Sequence, residues 1–237
     1  MVSGPVALGE LSATETEERP STLLVFGVLA AGLTIIQVAG AFIAGDPSSP
    51  QQVLATFKSN QGSYTFSYLF SIVYAVGSIP FITLTGSILR RKGRGLVSAA
   101  VLLLVGGLLL SAVELLLTFG ALWSISSTPA PTPGLASYEA TYWFQLTLPL
   151  EGLSSVATGA GLLILGWAAW KSGVVANWLG IIAWIAGGAE LLNVLGYGPT
   201  GSTAFFLFGL LAAILSLVLD IGVPLTYRRM LRTRITG

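Results

Sequence analysis

Residues Leu96–Trp123 read LVSAAVLLLVGGLLLSAVELLLTFGALW, and Glu114 is the single charged residue among them. A helix needs about 20 apolar residues to cross the hydrocarbon core of a bilayer, so this stretch is long enough to span one. The rest of the chain is similar, since 54% of its residues are hydrophobic and only 9% are charged. Soluble domains carry about 25% charged residues. The sequence therefore predicts a protein whose main solvent is lipid.

Six apolar stretches follow one another along the chain, separated by polar or basic segments. They predict an all-α fold, a polytopic membrane helix bundle of about six transmembrane helices within one domain at 23–227. A polar, acidic tail at 1–22 precedes this domain, and we expect it to be partly disordered and uncleaved, because it lacks the basic start of a signal peptide. A basic cytoplasmic tail at 228–237 follows. The predicted spans are 23–44, 66–89, 96–123, 142–170, 178–197 and 203–227.

The basic residues predict the orientation of these spans. With six spans, one side of the membrane holds only Lys58, and the excess of Lys and Arg on the other side marks that side as cytoplasmic. We therefore predict a multi-pass protein of the cell (cytoplasmic) membrane with both termini in the cytoplasm. The basic residues on the cytoplasmic side are Arg19, Arg90, Arg91, Lys92, Arg94, Lys171, Arg228, Arg229, Arg232 and Arg234.

Two absences remove whole classes of chemistry. The chain has no cysteine and no histidine, and its only methionines are Met1 and Met230. Disulfides, thiol catalysis, imidazole chemistry and most zinc, copper and haem sites are thereby excluded. There is also no phosphate-binding loop, and a net charge of +1 argues against a nucleic acid partner. We predict no catalytic residue, no metal site and no cofactor.

Three glutamates lie at similar depth in the predicted spans. Glu114, Glu151 and Glu190 are each about 20 residues from a basic residue on the cytoplasmic side, which corresponds to roughly 28–30 Å of helix. A carboxylate inside a bilayer costs about 2.5–3.5 kcal/mol and usually faces a partner or a water-filled cavity. Two interpretations stay open, a functional layer in the bundle interior and a simple position at the outer headgroups.

Helical spacing places other polar residues on the same faces as these glutamates. The candidate polar cavity, or proton or ligand site, consists of Glu114, Glu151, Glu190, Asn193, Ser154, Ser155 and Thr158. A stripe on the second span adds Ser71, Tyr74, Ser78 and Thr85. The alternative is that these serines and threonines only bond their own helices or join neighbouring ones.

Prolines and one further carboxylate complete the polar features of the spans. Pro80 and Pro149 predict kinks, and the fourth span, which holds Pro149, is the expected place for an opened helix. Asp220 lies about two turns from Arg228, so we interpret it as one half of an ion pair that snorkels toward the cytoplasmic face.

Pairs of small residues four positions apart predict close helix packing. They serve either packing within the bundle or a dimer face. The pairs are Gly27/Ala31, Ser155/Gly159 and Ala183/Gly187.

The segment Trp170–Gly180, WKSGVVANWLG, resembles one in a prokaryotic membrane family of unknown function. That family has about six helices, with a basic-Ser-Gly turn before Trp-Leu-Gly and a late helix. The proline usual in this turn is missing here, and Ala176 stands in its region. The resemblance covers the last third of the chain and implies a fold without catalytic residues.

Two functions follow from these observations. The first is a non-enzymatic accessory or structural subunit of a membrane complex, with the lipid bilayer and other membrane subunits or a second copy as partners. The alternative is a small transporter, channel or ligand-binding protein that uses the glutamate layer. An intramembrane enzyme has the least support, because no nucleophile–base pair is present.

Overall fold

The computed structural model describes residues 13–44, 55, 57–90, 94–127, 133–194 and 203–236. Almost all of these residues are helical, as the apolar composition predicts, and no strand occurs among them. The seven helices described are α1 Ala13–Ala44, α2 Gln61–Gly77, α3 Ile79–Leu89, α4 Arg94–Ser127, α5 Pro133–Ser172, α6 Asn177–Asn193 and α7 Thr203–Thr236.

Among the residues that the structure describes, five segments are long and apolar enough to cross a membrane. The α2–α3 pair makes one of them, and the other four lie in α1, α4, α5 and α7. The fold is therefore an all-α polytopic membrane bundle, as predicted. The stretches are Pro20–Ala39, Gln61–Leu89, Arg94–Ser127, Gln145–Ser172 and Leu207–Thr233.

Helix α6 corresponds to the fifth predicted span, 178–197, which is not among these five stretches. It has 17 residues, about 25 Å of helix, slightly less than the hydrocarbon core. Glycine contacts show that it runs antiparallel along α5, because Gly180 meets Gly166 near one end and Gly187 meets Gly159 further along. It thus extends through the bundle between α5 and α7, although six spans stay a prediction.

The helices form a ring in chain order. Each packs beside its sequence neighbour, with α2 and α3 together occupying one position, and α7 packs against α1 to close the circle. Chain order becomes ring order because short connections place consecutive helices side by side. A closed ring of this kind leaves its centre to be filled by side chains or by a ligand.

The two ends of the ring differ in charge. Where α3 and α5 end and α4 and α6 begin, Leu89, Val97, Val175 and Leu179 share one apolar core with residues of α1 and α7. Arg90, Arg94 and Lys171 flank this core, and we call it the basic end. The opposite end has an aromatic core of its own, made by Phe57, Tyr64, Leu122 and Ile125.

Several helices extend beyond the predicted spans. Helix α1 begins at Ala13, so part of the acidic tail is helical, and α7 continues through the basic tail to Thr236. Helix α5 begins at Pro133, inside the segment expected to be a loop, because proline is favoured in the first helical turn. Hydropathy determines only the length of helix that lies in the membrane. The helix itself can continue into water and ends where its backbone groups no longer find partners within the helix. The disorder expected near the N-terminus concerns residues 1–12, which lie outside the described ones.

The two prolines act differently from one another. Pro80 interrupts the second span at Ser78, where α2 ends and α3 begins, as predicted. Helix α5 runs without interruption through Pro149, so the expected opening of the fourth span is wrong. A single missing donor bends or weakens a long helix without necessarily ending it, and Pro149 lies on an exposed face of α5.

The pairs of small residues serve packing within the bundle. Gly27 lies against the Asp220 carbonyl and the Pro224 ring of α7, so a Cβ at position 27 would collide with both. Gly159 and Gly187 face each other across α5 and α6, where each would place a Cβ within 3 Å of the other's carbonyl oxygen. These contacts decide between the two alternatives that the sequence left open.

Candidate functional site

The ring encloses a cavity of about 520 Å³. All seven helices contribute side chains to it, which follows from their arrangement around a common centre. Ligand sites in proteins have volumes of about 300–1,000 Å³, and most combine an apolar lining with a few polar groups. The cavity therefore has the size and position of an internal binding site.

Six of the seven candidate residues line this cavity. The lining set from the prediction is Glu151, Ser154, Ser155, Thr158, Glu190 and Asn193. Glu114 is buried but lies outside the lining, and Thr118, one turn along the same helix, donates a hydrogen bond of 2.8 Å to its Oε1. The three glutamates therefore do not form one common site, because rotation about α4 places Glu114 away from the cavity.

The hydroxyls of α5 line the cavity, and one of them joins α5 to α4. Ser154 donates a 2.8 Å hydrogen bond to the carbonyl oxygen of Gly107 in α4, at a point where the bare glycine allows α5 to approach. Thr158 donates a 2.9 Å hydrogen bond to the carbonyl oxygen of Ser154 in its own helix. Ser155 and Thr158 line the cavity together with Glu190 of α6.

Asp220 is a site residue that the sequence interpretation missed. It is only 8% exposed, lines the cavity, and accepts a 3.2 Å hydrogen bond from Thr34 of α1. The predicted ion pair with Arg228 is therefore wrong, because the Asp220 side chain points toward the neighbouring helix α1 rather than along α7. Thr34 also donates a 3.0 Å hydrogen bond to the carbonyl oxygen of Ala30, and Tyr74 lines the same cavity.

Two hydroxyls of the second span are buried without a partner. Ser78 and Thr85 are each 5% exposed and line the cavity. Within the described part of the chain, neither Ser78 Oγ nor Thr85 Oγ1 has a hydrogen-bond partner. Both belong to the polar stripe predicted from the sequence, and a buried hydroxyl left unpaired costs about 1–3 kcal/mol.

Polar residues occur along much of the length of the cavity. At the basic end its wall is mostly apolar, with Leu89, Ala169, Val175 and Leu179, although Asp220 lies two residues from Gly222, which contacts Leu179. Glu190 and Asn193 lie further toward the opposite end. Further polar residues in this part, which no sequence signal beyond helical spacing identified, are Gln37, Ser111 and Ser216.

The carboxylates are spread along the wall rather than gathered at one point. Among the described residues, no group of three or more acidic side chains is placed to hold a metal ion. The described part of the lining includes Glu151, Glu190 and Asp220 and no lysine or arginine. The arrangement suits an occupant that makes several separate hydrogen bonds and presents positive charge to the wall.

Known proteins place the chain in a family without assigning a chemistry to this site. No curated protein and no solved structure gives a significant match. Residues 22–225 match a family model described as a domain of unknown function, DUF4386. This match covers all the helices that enclose the cavity, and it agrees with the expected membership of a family of unknown function. The chain belongs to the DUF4386 family.

Proposed function

We propose that this protein binds a small molecule inside the membrane, in the cavity at the centre of the helix ring, as a ligand-binding or transport protein. The cavity of about 520 Å³ is the observation that carries this proposal. A protein interior is normally close-packed, with few voids larger than a water molecule. A purely structural bundle has no reason to keep so large a space.

The polar lining supports the same proposal. Glu151, Glu190 and Asp220 lie inside the bundle, where an ionisable side chain is costly and usually marks a substrate or ion pathway. Helix packing alone requires only small residues and occasional hydroxyls, which this chain supplies at its glycine contacts. The carboxylates are therefore best explained by an occupant.

The test is to ask what copurifies with the protein. We expect native mass spectrometry of the protein, extracted in nanodiscs from its own membrane, to detect a bound small molecule. Ser216 lines the cavity, so Ser216→Trp places a large ring in it and should abolish the adduct. Ile214→Trp is the matched control, because position 214 lies on the same helix but is 48% exposed on the outer surface.

The accessory-subunit hypothesis predicts a different result. In that case the protein would copurify with other membrane proteins in fixed stoichiometry, and Ser216→Trp and Ile214→Trp would both leave the small-molecule content unchanged. Such a result would overturn the proposed ligand-binding function.

A further inference from the structure

A second pocket lies at the surface of the bundle, between the end of α3 and the beginning of α4. It has a volume of about 470 Å³ and is lined by Ser87, Arg90, Arg94 and Ser98. Ser87 belongs to α3 and Arg90 follows its last residue, whereas Arg94 and Ser98 lie in the first two turns of α4. None of these four residues lines the central cavity, so the two sites are separate.

The charge of this pocket is not compensated by the helices that form it. Residues 47–113, which include α2, α3 and the first half of α4, contain no aspartate and no glutamate. Within the described part of the chain, neither Arg90 nor Arg94 makes an ion pair. Two guanidinium groups that line one pocket repel each other, and an anion bound between them would replace this repulsion by attraction.

The groups of the pocket that are free to bind a ligand are donors. Ser87 already donates a 2.7 Å hydrogen bond to the Leu84 carbonyl oxygen of its own helix. The Ser98 hydroxyl has no such bond among the described residues, and it lies on the same face of α4 as Arg94, one turn away. A phosphate group combines negative charge with several acceptor oxygens, and the planar fork of arginine matches these oxygens in pairs.

The position of the pocket indicates which kind of phosphate reaches it. The apolar stretches Gln61–Leu89 and Arg94–Ser127 end and begin beside it, which places it at the level of the lipid headgroups. One turn beyond Ser98, on the same face of α4, Leu102 is 72% exposed. The surface therefore changes from basic to apolar in the direction of the bilayer interior, as a headgroup followed by an acyl chain requires.

We infer that this pocket binds the phosphate of an anionic phospholipid, with Arg90 and Arg94 on the phosphate oxygens and an acyl chain along the outer face of α4 at Leu102. Basic pockets between membrane helices are suited to such headgroups on the cytoplasmic side, where the positive-inside rule places the basic end. The inference goes beyond the proposed ligand-binding function and does not depend on it, because the two sites share no residue.

The test is native mass spectrometry of the delipidated protein in detergent, titrated with one lipid at a time. Phosphatidylglycerol has a phosphodiester and a net negative charge, whereas phosphatidylcholine has the same phosphodiester and no net charge. We expect the first phosphatidylglycerol to bind at least about tenfold more tightly than the first phosphatidylcholine. Inorganic phosphate should displace phosphatidylglycerol no better than acetate of equal ionic strength, because it has no acyl chain.

Variants locate the headgroup. The double variant Arg90→Gln, Arg94→Gln should weaken phosphatidylglycerol binding by at least about tenfold, because it removes both charges from the pocket. The double variant Lys171→Gln, Arg229→Gln is the matched control, since it removes two exposed basic residues from the same end of the bundle outside the pocket. It should change the affinity by less than about twofold. Size-exclusion profiles identify a variant that fails to fold, and the comparison of the two lipids needs only the unaltered protein.

The outcomes separate this inference from the proposed function. If phosphatidylcholine binds as tightly as phosphatidylglycerol, or if both double variants weaken binding equally, the phosphate pocket is wrong. If inorganic phosphate displaces the lipid, the site binds a free anion and the lipid headgroup is wrong. If Ser216→Trp abolishes phosphatidylglycerol binding, the lipid occupies the central cavity, so this inference fails and the proposed function stands. A loss that is confined to the Arg90 and Arg94 variant supports the pocket whether or not the central cavity holds a ligand.

Discussion

Single glycines determine how closely α5 and α6 approach. A Cβ on Gly187 would lie 2.7 Å from the carbonyl oxygen of Gly159 and 3.0 Å from the backbone nitrogen of Leu163. Backbone atoms cannot move aside as the end of a flexible side chain can. The neighbouring Gly188 has nothing within 4 Å of the same position, because it lies on another face of α6. Two adjacent glycines thus have opposite roles.

We predict that Gly187→Ala lowers the free energy of unfolding by about 1–3 kcal/mol, the cost of forcing a methyl group into a packed interface. Gly188→Ala is the adjacent control and should leave stability unchanged or raise it by up to about 1 kcal/mol, because alanine favours a helix more than glycine does. Unfolding in mixed micelles, followed by circular dichroism, measures both. Equal effects of the two substitutions would contradict the predicted close contact.

The turn between α5 and α6 is formed by a left-handed glycine, a serine that makes two hydrogen bonds and an extended alanine. Gly173 has a φ of +60°, the left-handed conformation that ends many helices. Ser172 donates a hydrogen bond to the Ala169 carbonyl and accepts one from the Val174 amide. Ala176 precedes α6 with φ −61° and ψ 134°. Proline holds φ near −65°, so the turn keeps the geometry of proline although alanine occupies the position.

We predict that Ala176→Pro raises the free energy of unfolding by about 0.4–1 kcal/mol, because proline restricts the unfolded chain without straining this φ. Val174→Pro is the control within the same turn and should be destabilising, since the Val174 amide donates a 3.1 Å hydrogen bond to Ser172 Oγ. Thermal unfolding of the purified variants measures the difference. A loss of stability in Ala176→Pro as large as that in Val174→Pro would show that the turn does not accept proline.

The whole molecule is a ring with one basic end and one end that is poor in basic residues. Among the described residues, Arg90 and Lys171 are exposed at the basic end, whereas Lys58 is exposed beside the aromatic core of the opposite end. The charge asymmetry read from the sequence therefore coincides with the two ends of the bundle. Which end faces the cytoplasm follows only from the positive-inside rule.

We predict that the C-terminus shares the side of Lys171, which requires α6 to cross the membrane. Cysteine substitution tests this, because the native chain has no cysteine. Lys58→Cys should react with an impermeant maleimide applied outside intact cells, whereas Arg90→Cys, Lys171→Cys and Arg229→Cys should react only after permeabilisation. Labelling of Arg229→Cys from outside would show that α6 does not cross and that the chain has five spans.

Local properties of the chain were sufficient to predict the class of fold. Length and hydropathy predict where Leu96–Trp123 and the other spans lie, and helical spacing identified Ser154, Ser155 and Thr158 as one face. Each of these properties depends on residues close in sequence, so no knowledge of the neighbouring helices is needed. The exact helix ends could not be predicted from hydropathy, because α1 and α7 continue past the apolar stretches into polar sequence.

The site itself was decided by the closure of the ring. Glu114-Leu115-Leu116 and Glu190-Leu191-Leu192 have the same local sequence, and each is preceded by a basic segment and an apolar run. Yet Glu190 lines the cavity with Ser155 and Thr158, whereas Glu114 bonds Thr118 outside it. The rotation of each helix about its axis is determined by its contacts with two neighbours, through glycines such as Gly107 and Gly187. Those contacts join residues far apart in sequence, and therefore only the tertiary structure separates the two glutamates and brings Asp220 of α7 against Thr34 of the adjacent α1.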